Sequence, residues 1–170
     1  LVSYPKSFMS EAYLTVRSNL AFSTDQGVPR SFMVTSTRPG EGKTTTSFAL
    51  AVVLARTGKR VLLIDADMRS PSAQFFFDID NKVGFSNYLS GHDDWQKLVR
   101  RTKWESLDVM TAGPLPPSAA ELLSRDRAAQ LIASAKQGYD HVIVDSPPVL
   151  GLADSPLLSR ATDGIVYVIE

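Results

Sequence analysis

The chain has 170 residues, 44% of them hydrophobic and 21% charged, and its 18 Lys and Arg balance 18 Asp and Glu to a net charge of zero. This composition suits one folded domain and argues against intrinsic disorder. The missing basic excess argues against a nucleic-acid binder. The absence of cysteine excludes disulfides and thiolate chemistry and fits the cytosol.

The sequence shows no apolar run long enough to span a membrane and no N-terminal signal pattern. The longest apolar run, FALAVVLA at 48–55, is far shorter than the roughly 20 residues of a membrane-spanning helix. The N-terminus lacks a basic-then-apolar signal pattern. Because the sequence starts with Leu1 rather than Met, we expect a piece of a longer protein, which leaves room for a membrane segment elsewhere.

Short apolar runs predict the strands. A helix over 10–22 comes first, and five nearly continuous apolar runs follow at 31–36, 60–67, 107–113, 141–146 and 164–170. Apolar runs without alternation are typical of parallel strands that are covered on both faces. Helical patterns between them fit a βαβ series.

Three further helices are predicted from their end signals. The first runs over 43–57 and stops at Gly58. The second region opens with a capping box of Ser118 and Glu121 and ends near Gly138. A third, short helix begins with Asp154 or Ser155 as its cap and Pro156 in its first turn. The basic stretch 96–103 is interpreted as a solvated helix face, with a contact to an acidic partner or membrane surface as the alternative.

The stretch TSTRPGEGKTTT at 35–46 predicts a phosphate-binding loop between a strand and a helix. Relative to the pattern G-x-x-x-x-G-K-[ST], Thr37 replaces the first glycine. Backbone N–H groups and the helix N-terminus favour an anion there, Lys43 can reach the β and γ phosphates, and the Thr44 hydroxyl can hold Mg²⁺. The predicted nucleotide-binding residues are Thr37, Arg38, Pro39, Gly40, Glu41, Gly42, Lys43, Thr44 and Thr45. The alternative is an ordinary Gly-rich turn.

ATP is favoured over GTP as the nucleotide. The guanine-reading signature is Asn-Lys-x-Asp, and NKVG at 81–84 has Gly84 in place of the aspartate. These observations predict an α/β fold, a three-layer α/β/α P-loop NTPase with a mainly parallel central sheet, as a single domain over 1–170.

Aspartates at the ends of two predicted strands complete the candidate site. Asp65 and Asp67 end the run LLIDAD, and residues two apart on a strand point the same way, so both can face one Mg²⁺–phosphate centre. Asp145 ends the run VIVD, as the second half of a phosphate-loop site does. Each aspartate taken alone is also compatible with a turn or cap residue.

Four segments, TSTRPGEGKTT, VLLIDADMRSP, GPLPPSAAELLSR and YDHVIVDSPPVLGLADSPLLS, together resemble the bacterial tyrosine kinases of exopolysaccharide and capsule synthesis. These kinases lie within the wider group of MinD/ParA-like ATPases with a deviant Walker A motif, in which a threonine at position 37 is expected. The segment PSAAELLS resembles the kinases rather than the chromosome-partition ATPases. The resemblance extends over about residues 11–170.

The resemblance implies roles for particular residues. Lys43, Asp65, Asp67 and Asp145 would be catalytic, with ATP or ADP as the nucleotide, and Thr44, Asp65 and Asp145 would serve Mg²⁺. Asp67 is the expected base for the acceptor tyrosine and Asp65 the expected metal ligand, although the reverse assignment stays open. Arg38 stands where some related ATPases carry a lysine that reaches a neighbouring subunit, and a solvated arginine is the alternative.

The resemblance also implies partners: a membrane-bound polysaccharide co-polymerase, in the same chain or separate, that holds the kinase at the inner face of the cell membrane, and a homo-oligomer. The family's helix motif Glu-x-x-Arg-x-x-Arg reads here as Glu11, Leu14 and Arg17, so the middle arginine is missing. Glu11 and Arg17 are the candidate subunit-interface residues, and a plain amphipathic helix with solvated charges is the alternative.

The family's C-terminal tyrosine cluster is not visible in this sequence. The five tyrosines are Tyr4, Tyr13, Tyr88, Tyr139 and Tyr167, and the last two are expected in the core. We therefore expect an ATP-dependent tyrosine autokinase of polysaccharide export. An ATPase switch without phosphoryl transfer to protein is the first alternative, and a small-molecule enzyme such as a synthetase is the second.

Overall fold

The computed structural model describes residues 8–150 and 152–169. Its strands are β1 Ser31–Ser36, β2 Val61–Asp65, β3 Arg100–Arg101, β4 Leu107–Met110, β5 His141–Asp145 and β6 Gly164–Val168. Its helices are α1 Phe8–Ala21, α2 Lys43–Ala55, α3 Ala73–Phe77, α4 Phe85–Leu89, α5 Ala119–Leu123, α6 Arg127–Ala135 and α7 Asp154–Ser159, with a 3₁₀ helix at Trp95–Leu98.

The strands form one sheet in the order β3-β4-β2-β5-β1-β6. All pairs are parallel except β3 with β4, so the predicted mainly parallel sheet is confirmed. Strands β1, β2 and β5 are buried along their whole length, which explains why their sequences read as unbroken apolar runs.

Alternate strand residues feed two hydrophobic clusters, one on each face of the sheet. Met33, Leu62 and Ile64 pack in the first cluster with residues of α4, α5 and α6. Phe32 and Val34 pack in the second cluster with the apolar side of α2. Because successive residues of a strand point to opposite faces, the two clusters give the predicted α/β/α layers. No helix within the described ranges is long and apolar enough to cross a membrane.

The helix over 43–57 is confirmed with a slightly earlier end at Ala55, and Gly58 follows with the left-handed φ of 85°. The helical region 118–138 is instead two helices, α5 and α6, separated at 124–126. The capping box is wrong: Ser118 makes no side-chain cap bond, and the Glu121 carboxylate lies 3.6 Å from Arg125 one turn later.

Two expectations near the chain's polar stretches are also wrong. The stretch 96–103 is not a helix face, because a 3₁₀ helix ends at Leu98 and β3 pairs two arginines with the edge of β4. The predicted short helix is confirmed as α7 with Pro156 in its first turn, but its predicted cap is wrong, because the helix starts at Asp154 and no side chain caps it. Asp154 is fully buried and pairs with Arg69 instead.

Tyr139 is in the core as expected, at 9% exposure, but Tyr167 is not. Tyr167 is 45% exposed, because β6 is an edge strand of the described sheet. Its neighbours Val166 and Val168 pack on the α2 side of the sheet, so Tyr167 points to the opposite, less covered face.

Candidate active site

The loop between β1 and α2 has the backbone of a phosphate cradle. Gly40 and Gly42 both have a φ of 83°, a left-handed conformation that glycine adopts without strain. The Glu41 carboxylate accepts the Arg38 backbone N–H at 2.9 Å and closes the loop on itself. Helix α2 then begins at Lys43, so the free N–H groups of a 13-residue helix lie at the loop.

Thr37 shares a hydrogen bond with a residue from the neighbouring strand. Its hydroxyl lies 2.8 Å from the Tyr167 hydroxyl at the end of β6. Arg38 is exposed at the outside of the loop. The threonine at the position of the first glycine is therefore accommodated at the loop's edge and does not fill the cradle.

The Lys43 ammonium is held by two carboxylates, one from the loop after β2 and one from the last residue of β5. It lies 3.0 Å from Asp67 Oδ2 and 3.9 Å from Asp145 Oδ1, and all three side chains are at least nine-tenths buried. The predicted lysine and two of the three predicted aspartates are thus brought together at one point. A buried ammonium between two carboxylates is a compact, charged centre next to the phosphate loop.

The sheet order explains why these carboxylates meet. Strands β2 and β5 are direct parallel neighbours, and Asp65 lies opposite Asp145 in the register. Carboxyl ends of parallel strands point to the same edge of a sheet, which is the edge where ligands bind in such folds. The phosphate loop leaves β1, the other neighbour of β5, at that same edge.

Asp65 and Asp67 have different surroundings. β2 ends at Asp65, so Asp67 lies in the following loop and the strand argument for a shared direction does not apply to it. The Asp65 carboxylate accepts backbone N–H groups from Asp67, Ser72 and Ala73, each at 3.0 Å. Burial raises the pKa of Asp65 in spite of these three bonds. Asp65 fixes the shape of the loop that carries Asp67.

Burial raises the pKa of Asp145 to about 7. Lys43 opposes this rise, the nearby Asp65 carboxylate adds to it, and the hydroxyls of Thr44 and Ser47 lower it. Ser47 donates to Asp145 Oδ1 at 3.1 Å and is fully buried. The sequence reasoning missed Ser47, although its position four residues after Lys43 places both on one face of α2.

The oxygen ligands present fit Mg²⁺ bound together with a nucleotide. Thr44, Asp65 and Asp145 line one small cleft with the rings of Phe48 and Phe76. Among the described residues, no group of three or more His, Cys, Asp or Glu is arranged to hold a metal alone. Magnesium in nucleotide sites is usually held by one or two carboxylates together with phosphates and water, so a small oxygen set suits it.

The candidate interface residues lie on α1, away from this centre. Glu11 is exposed and Arg17 is half-buried. Leu14, between them, is 42% exposed. Within the part of the chain that the structure describes, neither Glu11 nor Arg17 forms an ion pair. Their role in an interface stays a prediction.

Comparison with known proteins identifies the family of the chain. A family model described as an AAA domain matches residues 30–170. The chain is 45% identical over 166 residues to the tyrosine-protein kinase YwqD of Bacillus subtilis, covering 98% of this chain and 70% of YwqD. The kinase domain of Escherichia coli tyrosine kinase ETK superposes with a TM-score of 0.93 at 36% identity, covering 98% of this chain and 66% of that chain. The chimerical protein CapA2B2 gives 0.91 at 38% identity, covering 97% and 73%.

Two more distant structures concern the fold and its ligands. The cell division ATPase MinD of Pyrococcus furiosus has a TM-score of 0.72 at 22% identity over 83% of this chain and 59% of that chain, which shows a shared fold only. Cobyrinic acid a,c-diamide synthase of Mycobacterium smegmatis, 26% identical with a TM-score of 0.71 over 84% and 60%, was solved with a bound ATP analog and magnesium.

A mainly parallel sheet, a phosphate loop after β1 and carboxylates at the ends of β2 and β5 define a P-loop nucleoside triphosphatase fold. Within that class, the chain belongs to the family of the bacterial tyrosine-protein kinases. The predicted fold class and family are both confirmed.

Proposed function

We propose that residues 1–170 form a nucleotide-binding kinase domain. The domain transfers the γ-phosphate of ATP to tyrosine hydroxyls of the same protein. The observation that carries this proposal is the position of Lys43 between Asp67 and Asp145, at the start of α2 and beside the phosphate loop. Names of relatives support the reaction class, since YwqD and ETK are both tyrosine kinases.

Nucleotide binding would rearrange the charges of this centre. The loop residues 37–45 would wrap the phosphates through backbone N–H groups. The phosphates would draw the Lys43 ammonium away from Asp67, to which it is bound at 3.0 Å. Asp67 Oδ2 would then be free to accept a proton. In this proposal, binding of ATP itself prepares the base.

Mg²⁺ would be held by the Thr44 hydroxyl, Asp145 and Asp65, directly or through water. When bound, the ion neutralises developing charge on the phosphates. Ser47 would keep the Asp145 carboxylate turned towards this position through its 3.1 Å hydrogen bond.

The transfer itself needs a base, because a tyrosine hydroxyl has a pKa near 10. The acceptor oxygen would attack the γ-phosphorus in line, the bond to the bridging β–γ oxygen would break, and ADP would leave with that electron pair. The phenolic proton would pass to Asp67. Asp65 would hold the Asp67 loop through its three backbone hydrogen bonds.

The setting of this reaction is part of the proposal. By its family, the domain would act in exopolysaccharide or capsule export, next to a membrane-bound co-polymerase that activates it at the inner face of the membrane. The matched structure CapA2B2 is a chimerical protein, and its name joins two components, which supports an activating partner. Glu11 and Arg17 on α1 would contribute to a homo-oligomer.

The experiment uses the full-length protein with ATP and Mg²⁺, and it follows both ADP release and phosphotyrosine by intact and peptide mass. We expect Lys43→Met to abolish both products. We expect Asp67→Asn to bind nucleotide but to lose roughly 100-fold or more in phosphotyrosine formation, the usual worth of a positioned base. Asp80→Asn is the matched control, because Asp80 is an exposed carboxylate paired with Arg100 on another part of the surface.

Unchanged phosphotyrosine in Asp67→Asn would remove Asp67 from the role of base. Nucleotide turnover and ATP-dependent assembly without any phosphotyrosine in the wild type would instead identify an ATPase switch, and the kinase proposal would fail.

A further inference from the structure

An ion pair joins the loop that carries Asp67 to the start of α7. Arg69, two residues after Asp67, donates from Nε to Asp154 Oδ2 at 3.1 Å and from Nη2 to Asp154 Oδ1 at 3.3 Å. The Asp154 side chain is completely buried, while that of Arg69 is 42% exposed. Among the described residues, no other side chain donates a hydrogen bond to Asp154. The carboxylate therefore depends on this two-pronged contact.

Asp154 belongs to an element that also holds the other loop. It is the first residue of α7, and the next residue, Ser155, donates its hydroxyl to the carbonyl oxygen of Pro147 in the loop after β5. The start of α7 thus contacts the Asp67 loop through Asp154 and the Asp145 loop through Ser155. The start of α7 therefore joins the loop that carries Asp67 to the loop that follows Asp145.

Beyond Asp67, the loop is held by hydrogen bonds within itself and by Met68, which packs in the first hydrophobic cluster. Asp65 holds its far end through Ser72 and Ala73, and Asp67 Oδ1 accepts the Ser70 N–H at 3.1 Å. These bonds lie within one short segment, so they fix the loop's shape. The start of the loop is also held from outside, because the Ala66 N–H donates to the Asp145 carbonyl oxygen at 2.8 Å and Lys43 lies 3.0 Å from Asp67. Among the described residues, the Arg69–Asp154 pair is the long-range polar link of the part of the loop beyond Asp67.

This pair is a poor way to gain stability, because burying the Asp154 carboxylate costs desolvation free energy and the attraction to the half-exposed Arg69 offsets only part of it. Its two-pronged geometry, however, fixes direction as well as distance. We propose that Arg69 and Asp154 are positioning residues, which hold the Asp67 loop against α7 so that Asp67 and Asp145 keep their separation across the phosphate site. This inference deepens the proposed function and rests on it for the catalytic part of the test.

The test compares Arg69→Lys and Asp154→Asn in the full-length protein. Lysine keeps the charge but cannot form the fork, and asparagine leaves no unpaired charge in the interior, so both changes are mild. Arg100→Lys and Asp80→Asn are the matched controls: Arg100 is 40% exposed, close to the exposure of Arg69, and its contact to Asp80 is a single one at 3.6 Å on the surface.

We expect both test variants to keep the KM for ATP within about threefold and to lose at least about tenfold in kcat for phosphotyrosine formation, as expected when a group in the transition state is misplaced. In the nucleotide-free protein, amide hydrogen exchange over 66–73 should become at least about tenfold faster. The control variants should show neither change.

Unchanged exchange over 66–73 together with an unchanged kcat would overturn the proposal, and so would a lower melting temperature with normal kcat on the folded fraction. The exchange measurement needs no activity. If the wild type makes no phosphotyrosine but Asp154→Asn loosens 66–73, the kinase proposal fails while the link between the loops stands.

Discussion

The raised pKa of Asp145 predicts that its replacement changes how stability depends on pH. In wild-type protein without metal or nucleotide, burial raises the pKa of Asp145 to about 7 from an ordinary value of 3.8. The native carboxyl therefore keeps its proton at pH values where the unfolded chain has lost it. We expect Asp145→Asn to remove this difference, because an amide does not titrate.

The sign follows from proton counting. Between the two pKa values the native state binds more protons than the unfolded state, so the free energy of unfolding falls as the pH rises. The contribution of Asp145 to the free energy of unfolding is fully present below pH 3.8 and is lost as the pH rises through 7. Each pH unit in this window corresponds to about 1.4 kcal/mol, so the wild type should lose about 3 kcal/mol from this group between about pH 5 and pH 8.

The assay is urea unfolding of wild type and Asp145→Asn at several pH values across this window, with EDTA present. We expect the free energy of unfolding of Asp145→Asn, taken relative to that of wild type, to rise by about 3 kcal/mol from pH 5 to pH 8. Other titrating groups contribute to both proteins, so the comparison isolates the change caused at position 145.

Asp163→Asn is the control. Lys136 lies 2.7 Å from Asp163 and its hydrogen bond lowers the pKa of that carboxyl, so Asp163 stays ionised across the whole window in both states. This control should shift stability by the same amount at every pH. If Asp145→Asn likewise gives a parallel shift, the carboxyl is ionised throughout, and the claim that burial dominates its charge state is refuted.

Two further predictions concern packing and a buried hydrogen bond. Gly84→Ala should destabilise the fold by about 2 kcal/mol or more, because the new Cβ would lie 2.0 Å from the carbonyl oxygen of Thr111. Gly138→Ala is the control and should change stability little, because nothing lies within 4 Å of its new Cβ. Equal urea midpoints for the two variants would contradict this prediction. Tyr139→Phe removes a 2.7 Å hydrogen bond to Asp108 and should cost about 1 kcal/mol by the same measurement, and an unaltered midpoint would show that water replaces that bond at no cost.

Local patterns predicted the strands well and the polar segments poorly. The run 31–36 coincides with β1, and the other four apolar runs contain β2, β4, β5 and β6. An unbroken apolar run between two helical segments indicates a buried parallel strand, because such a strand is covered on both faces. β3 was not predicted because it has only two residues, both arginines, which give no apolar run. Its antiparallel pairing with the nearby β4 is visible only in the structure.

Capping signals were less informative because side chains had other partners. Ser118 and Glu121 have the spacing of a capping box, yet Glu121 lies next to Arg125 on the exposed surface. Asp154 lies at a position typical of a helix cap, but its side chain is buried and pairs with Arg69. Tyr167 was expected in the core because it lies in an apolar strand. The position of that strand at the edge of the described sheet leaves it 45% exposed.

The sequence alone determined the phosphate loop and the aspartates at the strand ends, because each depends on residues close together in the chain. It also determined the family, through four such local segments taken together. It did not determine the sheet order, which places β5 between β1 and β2. This order brings the carboxylates of Asp67 and Asp145 within 4 Å of the Lys43 ammonium. The same packing turned Ser47 towards Asp145 and Arg69 towards Asp154. Side chains distant in sequence meet only when the helices pack on the sheet. Burial then excludes water and disfavours the charged form of a carboxyl, which raises the pKa of Asp145 to about 7.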